Sequence, residues 1–232
     1  MSKFVLVSDL HSNYPALQAV VDKEGLDKEY FVLGDVMGLL AYPKETLDLV
    51  QAVGDVVLAG NHDKAIFEFG EGHVNDSALS KFELHHTLSN LSAEQKEYMG
   101  NLPYLDVVQR GDSRTCLCHA YPWPEKASGY EAGNAGVLKK DVTHVASVVS
   151  DDYDWVFHGH THTQYSLDCS QFAGNNDVHF VNPGSLGWDE EYAVVDTESG
   201  NVDLKEVTVE ADVQAHVQNL LPDDAPHTEN WF

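Results

Sequence analysis

Arginine is nearly absent from this chain: only Arg110 and Arg114 occur in 232 residues. Basic residues of both kinds number 13 against 38 acidic ones, a formal net charge of −25 with histidine neutral. Broad binding to nucleic acid or anionic lipid needs Lys and Arg to replace condensed counterions, so this balance excludes it as a general property. Planar, bidentate grip on a phosphate falls mainly to Arg, and that device is scarce as well. Cysteine is sparse too. Cys116, Cys118 and Cys169 cannot all pair, which excludes a disulfide framework. No apolar run approaches the ~20 residues of a membrane-spanning helix, and Met1-Ser2-Lys3 leads straight into an expected strand with no signal peptide before it. A cytoplasmic setting is the resulting expectation. The acidic surface suits a salt-rich cytoplasm, where ions screen self-repulsion, whereas the shortage of arginine is untypical of an extreme halophile; charge leaves the habitat open.

Apolar material is plentiful, with 43% hydrophobic and 10% aromatic residues, enough to fill one sizeable core. The expected division is a single domain over residues 1–210 with a helical insertion at about 76–102, then a short C-terminal helix and tail over 211–232. Lys3 to Ser8 reads as a buried strand and Ala16 to Glu24 as a helix with Leu17, Val20 and Val21 on one face. The pattern repeats with a strand at Tyr30 to Leu33, a helix at Lys44 to Val53 opened by Pro43, and a strand at Asp55 to Ala59. These intervals are close to the ~30 residues of a βαβ unit. Ser92 with Gln95 has the form of a capping box inside the insertion. Tyr104 to Gln109 and Thr115 to Cys118 form an expected hairpin around Arg110-Gly111-Asp112, and Ala135 to Val149 an expected helix. Strands follow at Trp155–Phe157, Gln164–Asp168, Val178–Val181, Tyr192–Val195 and Val202–Val209. Strand–helix alternation followed by hairpins predicts two sheets packed face to face with helices outside, an α/β fold.

Five polar punctuation marks each follow one of the apolar runs: Asp9-Leu10-His11, Gly34-Asp35, Gly60-Asn61-His62-Asp63, His119, and Gly159-His160-Thr161-His162. Ligands at the carboxyl ends of parallel strands share one crevice, which is how a metal site is assembled from distant parts of a chain. Asp9 and His11 alternate along an extended loop, so both can face one ion. Asp35 has two carboxylate oxygens and could bridge two. Asn61 offers a neutral oxygen, and His119, His160 and His162 offer imidazole nitrogens. Nitrogen and oxygen donors without thiolate suit manganese, iron, cobalt, nickel or zinc and do not choose among them.

In this order the motifs D-x-H, G-D, G-N-H-[DE], a lone His after a strand, and G-H-x-H are those of the calcineurin-like metallophosphoesterases, which the chain resembles over about residues 3 to 196. Val181-Asn182-Pro183-Gly184-Ser185 and Tyr192-Ala193-Val194-Val195-Asp196 are similar to the tail of the small bacterial and archaeal phosphodiesterase branch. The resemblance implies a four-layer α/β/β/α sandwich and two divalent metal ions, manganese placed first and iron, cobalt, nickel or zinc as alternatives. It implies that Asp9, His11, Asp35 and His162 hold one ion and that Asp35, Asn61, His119 and His160 hold the other. It further implies that a hydroxide bridging the two attacks phosphorus in line. His62 would stabilise or protonate the leaving oxygen, and Asp63 would hydrogen-bond and orient its imidazole.

A lone histidine after a strand is ordinarily a packing residue; only the ordered context makes His119 a candidate ligand. His73, His85, His86, His144 and His179 have no such context and read as surface or packing residues. Cys116 and Cys118 lack the spacing of a structural zinc site and read as alternation on a buried strand. Asn182-Pro183-Gly184-Ser185 reads as a tight turn that also lines the site. Tyr14, Tyr42, Tyr121, Trp123 and Trp188 lie on expected loops around the site, where a nucleobase or aryl group could stack or where ordinary loop packing suffices. The resulting expectation is a hydrolase of small-molecule or nucleotide-type phosphate esters. A phosphoprotein phosphatase is disfavoured by the missing arginine clamp, and a non-catalytic scaffold of the same fold by retention of all the ligands. Oligomeric state is not legible.

Overall fold

The computed structural model describes residues 3–69, 78–130, 136–149, 152–171, 177–210 and 220. Strand β1 (Lys3–Val7) is apolar on both faces because both are covered. Phe4 and Leu6 point into the space between two sheets, while Val5 and Val7 point toward a layer of helices. Period-2 alternation with no polar face is what a strand buried on both sides requires.

Helix α1 (Tyr14–Glu24) returns to strand β2 (Glu29–Val32), and helix α2 (Pro43–Val53) returns to strand β3 (Gly54–Val57). Asn13 caps α1 by accepting from the Ala16 amide at 3.2 Å, which satisfies one of the free N–H groups of the first turn. Strands β1, β2 and β3 pair in parallel. The short helix α3 (Asn61–Lys64) follows, then a π-helical turn over Ala65–Phe69. Helices α4 (Ala78–Asn90) and α5 (Ala93–Gly100) come next, α5 opened by the expected Ser92–Gln95 capping box.

The second sheet begins with the hairpin of β4 (Leu105–Arg110) and β5 (Ser113–Cys118). Helix α6 (Val142–Val149) leads to β6 (Trp155–Phe157), β7 (Tyr165–Asp168) and β8 (His179–Asn182). Strands β9 (Glu191–Asp196) and β10 (Asn201–Glu206) then cross back to complete the first sheet. The orders are β10-β9-β1-β2-β3 and β4-β5-β6-β8-β7. Both sheets are mixed: β5, β6 and β8 run parallel, and β4, β7, β9 and β10 supply the antiparallel pairs.

Three cores separate four layers. Val5, Val7, Tyr30 and Val32 meet Leu17, Val20, Leu47 and Leu84 of the helices on one outer face. Phe4, Leu6, Phe31 and Leu33 meet Leu117, Phe157 and Val181 between the sheets. Cys116, Cys118, Val156 and Phe180 meet Val142, Val145 and Ala146 of α6 on the other outer face. The two cysteines are thus packing residues on alternate positions of β5.

The helix expected from Ala135 to Val149 is shorter than its periodicity indicated. Among the described residues of that stretch only Val142–Val149 is helical, because the Val137 amide donates to the Ala120 carbonyl at 3.2 Å and the Asp141 amide donates to the Leu138 carbonyl at 2.8 Å, closing a turn. The C-terminal helix expected near 212–221 falls almost wholly outside the described residues. No helix among the described residues is long and apolar enough to cross a membrane.

Candidate metal centre

Five strands end at one edge of the sandwich, and the polar marks sit at their carboxyl ends. Asp9 and His11 follow β1, Asp35 follows β2, Asn61 follows β3, His119 follows β5, and His160 and His162 follow β6. Backbone bonds stitch these loops across the strands: the Asp9 amide donates to Gly34 O at 3.1 Å, His11 to Asp35 O at 2.9 Å, and Gly159 to His119 O at 2.8 Å. The loop after β8 braces the first of them. Ser185 Oγ donates to Asp9 O at 3.1 Å, and Asn182 Nδ2 to Gly159 O at 3.0 Å.

Five of the seven candidate ligands hold a left-handed backbone: Asp9 (φ 53°), His11 (47°), Asp35 (48°), His160 (68°) and His162 (51°). Only a few per cent of non-glycine residues do so, and such strain persists where surrounding contacts over-determine it, commonly at functional sites. Crowding is equally local. A Cβ on Gly34 would lie 2.8 Å from both Gly60 N and His119 Nδ1, and one on Gly60 would fall onto the Asp35 carboxylate.

The side chains converge in two overlapping groups. In the first, His11 Nε2 lies 3.3 Å from His162 Nε2, which lies 3.2 Å from Asp9 Oδ1. In the second, His119 Nε2 lies 3.2 Å from Asp35 Oδ2, 3.1 Å from Asn61 Oδ1 and 3.3 Å from His160 Nδ1; His160 Nδ1 is 2.8 Å from Asn61 Oδ1. Asp9 Oδ1 stands between the groups, 3.9 Å from His119 Nε2.

His119 shows what this arrangement is suited to. Its Nδ1 lies 2.8 Å from the Leu33 carbonyl, an acceptor, so Nδ1 carries the proton and donates it there. Nε2 is left with its lone pair aimed at carboxylate and amide oxygens. Lone pairs crowded on lone pairs repel unless a cation, or a proton, sits among them. A carbonyl-oriented imidazole is also how a metal ligand is ordinarily held. Asp9 Oδ1 and His11 Nδ1 are buried without a hydrogen-bond partner. The donor set therefore fits divalent cations of the first transition row.

The charges respond accordingly. Burial lowers His11 to about 3, with the neighbouring His62 adding to it, so its imidazole is a neutral donor. Burial alone would lower His119 as well, but Asp35 and Asp9 hold it up at about 9. Burial would raise Asp9 and Asp35, yet His119 brings both below the ordinary carboxylate range, with His162 adding at Asp9 and His62 at Asp35. Protons on these imidazoles stand where cations would displace them.

A model of the calcineurin-like phosphoesterase superfamily domain matches residues 2–218. The chain belongs to that superfamily. An uncharacterised protein of Methanocaldococcus jannaschii is 22% identical, covering 97% of this chain and 94% of that one. Among solved structures, a metallophosphoesterase from Sphaerobacter thermophilus superposes with a TM-score of 0.73 at 24% identity, covering 95% of each chain. A hypothetical protein from Pyrococcus horikoshii gives 0.75 at 20% identity, covering 97% of this chain and 96% of that one. These neighbours share the α/β fold of two mixed five-stranded sheets flanked by helices.

Two residues of this calcineurin-like phosphoesterase lie differently from the sequence reading. Asp63 was expected to hydrogen-bond the His62 imidazole. Instead its carboxylate accepts from the backbone amides of Val36 at 3.1 Å, Met37 at 2.9 Å and Gly60 at 2.9 Å, tying the β2 loop to the β3 loop. These three amides hold the carboxylate between the two loops, and its hydrogen bonds go to backbone, not to the ring. His62 Nδ1 meets Glu83 Oε1 at 2.5 Å, 21 residues downstream on α4. Burial alone would lower His62, but Glu83 and then Asp35 raise it to about 10. Glu83 escaped the sequence reading, although a carboxylate beside Phe82 and Leu84 on a core-facing helix was the available signal.

The aromatic residues divide. Tyr42, Phe82 and Trp188 pack around Leu40 and Ala41 at the rim, with the Trp188 ring 5.7 Å from that of His11. The Tyr121 and Trp123 rings meet at a tilt, 5.4 Å between centroids, and pack against the outer core by α6. Tyr14 bonds Gln18 at 3.0 Å along α1. Of the histidines expected to be packing residues, His86 bonds the Ala41 carbonyl at 3.1 Å and His179 stacks on Trp155 at 4.4 Å; His73 lies outside the described residues.

Proposed function

We propose that this phosphoesterase binds two divalent cations and hydrolyses small phosphate esters whose leaving group is aromatic or nucleotide-like. The observation that carries the reading is the convergence of acceptor atoms around His119 Nε2, where Asp35, Asn61 and His160 all approach within 3.3 Å while Nδ1 is committed to Leu33. Asp9, His11, Asp35 and His162 would hold one cation, and Asp35, Asn61, His119 and His160 the other. Two such ions polarise phosphoryl oxygens and make water nucleophilic at neutral pH. His62 then serves the leaving oxygen, from a helix whose backbone is fixed when its amide donates to Asp35 Oδ1 at 2.9 Å. Asp63 keeps the β2 and β3 loops, and so Asp35 and Asn61, in register.

Substrate size and charge follow from the walls. Both arginines lie on the β4–β5 hairpin at the end of the second sheet remote from His119: Arg110 pairs with Glu29 at 2.8 Å and Arg114 donates to Asp152 O at 3.1 Å. With no arginine brought to the site, a polyphosphate or phosphopeptide has no bidentate grip there. The rim carries Trp188 and Tyr42, aromatic side chains of the kind that suit an aryl group or base. Action on soluble esters in the cytoplasm is part of this reading, with no claim on oligomeric state.

The test is a matrix of manganese, cobalt, nickel, zinc and magnesium against bis-aryl and mono-aryl phosphates, a dinucleotide and a phosphopeptide, at low and high salt. Turnover that requires added metal, stops with chelator and favours aryl or nucleotide esters is expected. Protein that binds two ions yet hydrolyses no member of the panel rejects the enzyme reading, and a phosphopeptide turned over fastest rejects the substrate class.

A further inference from the structure

Helix α4 is the only part of the insertion that sends a titratable side chain to the candidate centre among the described residues. Glu83 is about nine-tenths buried and shares its face with Leu84 and Thr87, which are wholly or almost wholly buried. A carboxylate in that position costs several kcal/mol unless it is paired, and the partner that the structure gives it is His62 Nδ1 at 2.5 Å. The helix that carries it is held from two further directions. His86 Nε2 bonds Ala41 O at 3.1 Å, and Phe82 packs with Leu40, Ala41, Tyr42 and Trp188. Glu83 thus reaches His62 from an element that is itself fastened to the β2 loop.

The geometry of His62 explains what this contact does. Its backbone amide is pinned by Asp35, but nothing in α3 fixes rotation of the ring, and the Asp63 carboxylate is spent on three amides. One ring nitrogen of His62 lies within 4.8 Å of ligand atoms of both His11 and Asp35, and its ring meets that of His11 edge-on at 4.8 Å between centroids. With Nδ1 donating to Glu83, Nε2 is the nitrogen left to face the reaction. We propose that Glu83, delivered by the helical insertion, is a positioning residue that fixes the rotation of the His62 ring so that Nε2 serves the leaving oxygen.

The inference rests on the phosphoesterase reading. In that reaction a water oxygen bonds to phosphorus and the bond from phosphorus to the leaving oxygen breaks, its electron pair staying on that oxygen. The leaving oxygen takes a proton from His62 Nε2, and the proton released by water restores the ring. A group that needs no proton to depart, such as a dinitrophenolate, gains little from His62; an unsubstituted phenolate gains most. The insertion is on this account a working part of the site, not a decoration on the sheet.

The experiment compares wild type, Glu83→Ala, Glu83→Gln, His62→Ala and the double variant on phosphodiesters that differ only in the acidity of the leaving phenol. Glu83→Ala should lower kcat on the phenol ester by about 10–100-fold and on the dinitrophenyl ester by under about threefold, with KM and bound metal unchanged. The Gln side chain keeps an oxygen to accept from Nδ1, so Glu83→Gln should lose less with the same leaving-group trend; it also serves if the Ala variant folds poorly. Adding Glu83→Ala to His62→Ala should cost nothing further. In metal-free protein, the His62 Nδ1 proton should give a slowly exchanging, hydrogen-bonded NMR signal in wild type that is lost in Glu83→Ala. Equal loss on all leaving groups, additive effects in the double variant, or unchanged His62 signals would each overturn the proposal. If wild type hydrolyses no ester, the phosphoesterase reading fails and the NMR comparison alone decides the Glu83 contact.

Discussion

An alanine at Gly34 would have to adopt a φ of +98°, and its Cβ would lie 2.8 Å from both Gly60 N and His119 Nδ1. Left-handed backbone costs an L side chain about 1–2 kcal/mol. Neither neighbour is a flexible tip: one is backbone, and the other is a ring held by its bond to Leu33, so overpacking adds about 1–3 kcal/mol. At about 2–4 °C per kcal/mol for a chain of this size, Tm should fall by roughly 4–20 °C. Three companion variants separate the two causes. Gly111→Ala shares the strain, at φ +59°, but has nothing within 4 Å. Gly60→Ala has an ordinary φ of −104° yet lands on the Asp35 carboxylate. Gly100→Ala, in the last turn of α5, has neither problem, and it should gain about 0.5–1 kcal/mol from reduced chain entropy. The assay is thermal melting of metal-free protein together with metal affinity by chelator competition. Gly34→Ala and Gly60→Ala should lose about 10–100-fold in affinity through displaced His119 and Asp35, while Gly111→Ala and Gly100→Ala keep theirs. A Gly111→Ala protein as unstable as Gly34→Ala, or a Gly60→Ala protein with wild-type metal affinity, would refute the argument.

Burial pushes Glu24 up, but Lys205, Lys28 and Tyr192 bonded to its carboxylate bring it from 4.5 down to about 2; its stabilisation is therefore present above pH 4.5 and lost as pH falls toward 2. Glu24→Gln should be less stable than wild type at pH 7 by about 1–2 kcal/mol, after discounting for the solvent-facing lysines, with the gap in urea midpoint closing by pH 2–3; a constant gap contradicts the linkage. Glu191 moves the other way, raised by burial, Asp189 and Glu206 to about 7, so its cost is absent below pH 4.5 and complete above pH 7. Glu191→Gln should melt higher than wild type at pH 8 and level with it at pH 4, and equal melting temperatures at both would sink the idea. Removing the Trp188 ring from the rim (Trp188→Ala) should raise KM for aryl esters about tenfold without changing metal content, whereas an unchanged KM would show that the rim does not hold the leaving group.

The fold was legible where local chemistry decides it. Unbroken apolar runs such as Lys3–Val7 and Trp155–Phe157 are strands buried on both faces, and Asn13, Pro43 and Ser92 mark helix starts through groups that act within one turn. The stretch before α6 misled because Val137, Leu138 and the residues up to Val149 carry helical apolar spacing, yet the Val137 amide finds a better partner in Ala120, a contact invisible to periodicity. The candidate ligands were legible as residue types at strand ends, since parallel topology carries every such end to one edge. Their support was not. Glu83 reaches His62 across 21 residues, and the Asp63 bonds to Val36 and Met37 span more than 25; both depend on how a helix and two loops lie in space. Left-handed backbone at Asp9 and Asp35 is a conformation that Asp visits more readily than most residues, but which Asp adopts it is decided by tertiary contacts.

Strand β1 sits in the middle of the first sheet, with β2 on one side and β9 on the other. Its loop is bolted down by Ser185, Leu186 and Gly187, which bond the Asp9 and Ser8 carbonyls. The earliest candidate ligands to leave the ribosome, Asp9 and His11, therefore wait for these bracing residues, which follow roughly 10–40 s later at ordinary synthesis rates. Until then β1 presents an open edge of the kind that recruits stray strands, and its carboxylate has no finished cage to enter. The order of translation makes the candidate metal centre one of the last parts of the fold to be fixed, and any chain interrupted between residues 163 and 184 carries every candidate ligand without the bonds that brace the first two.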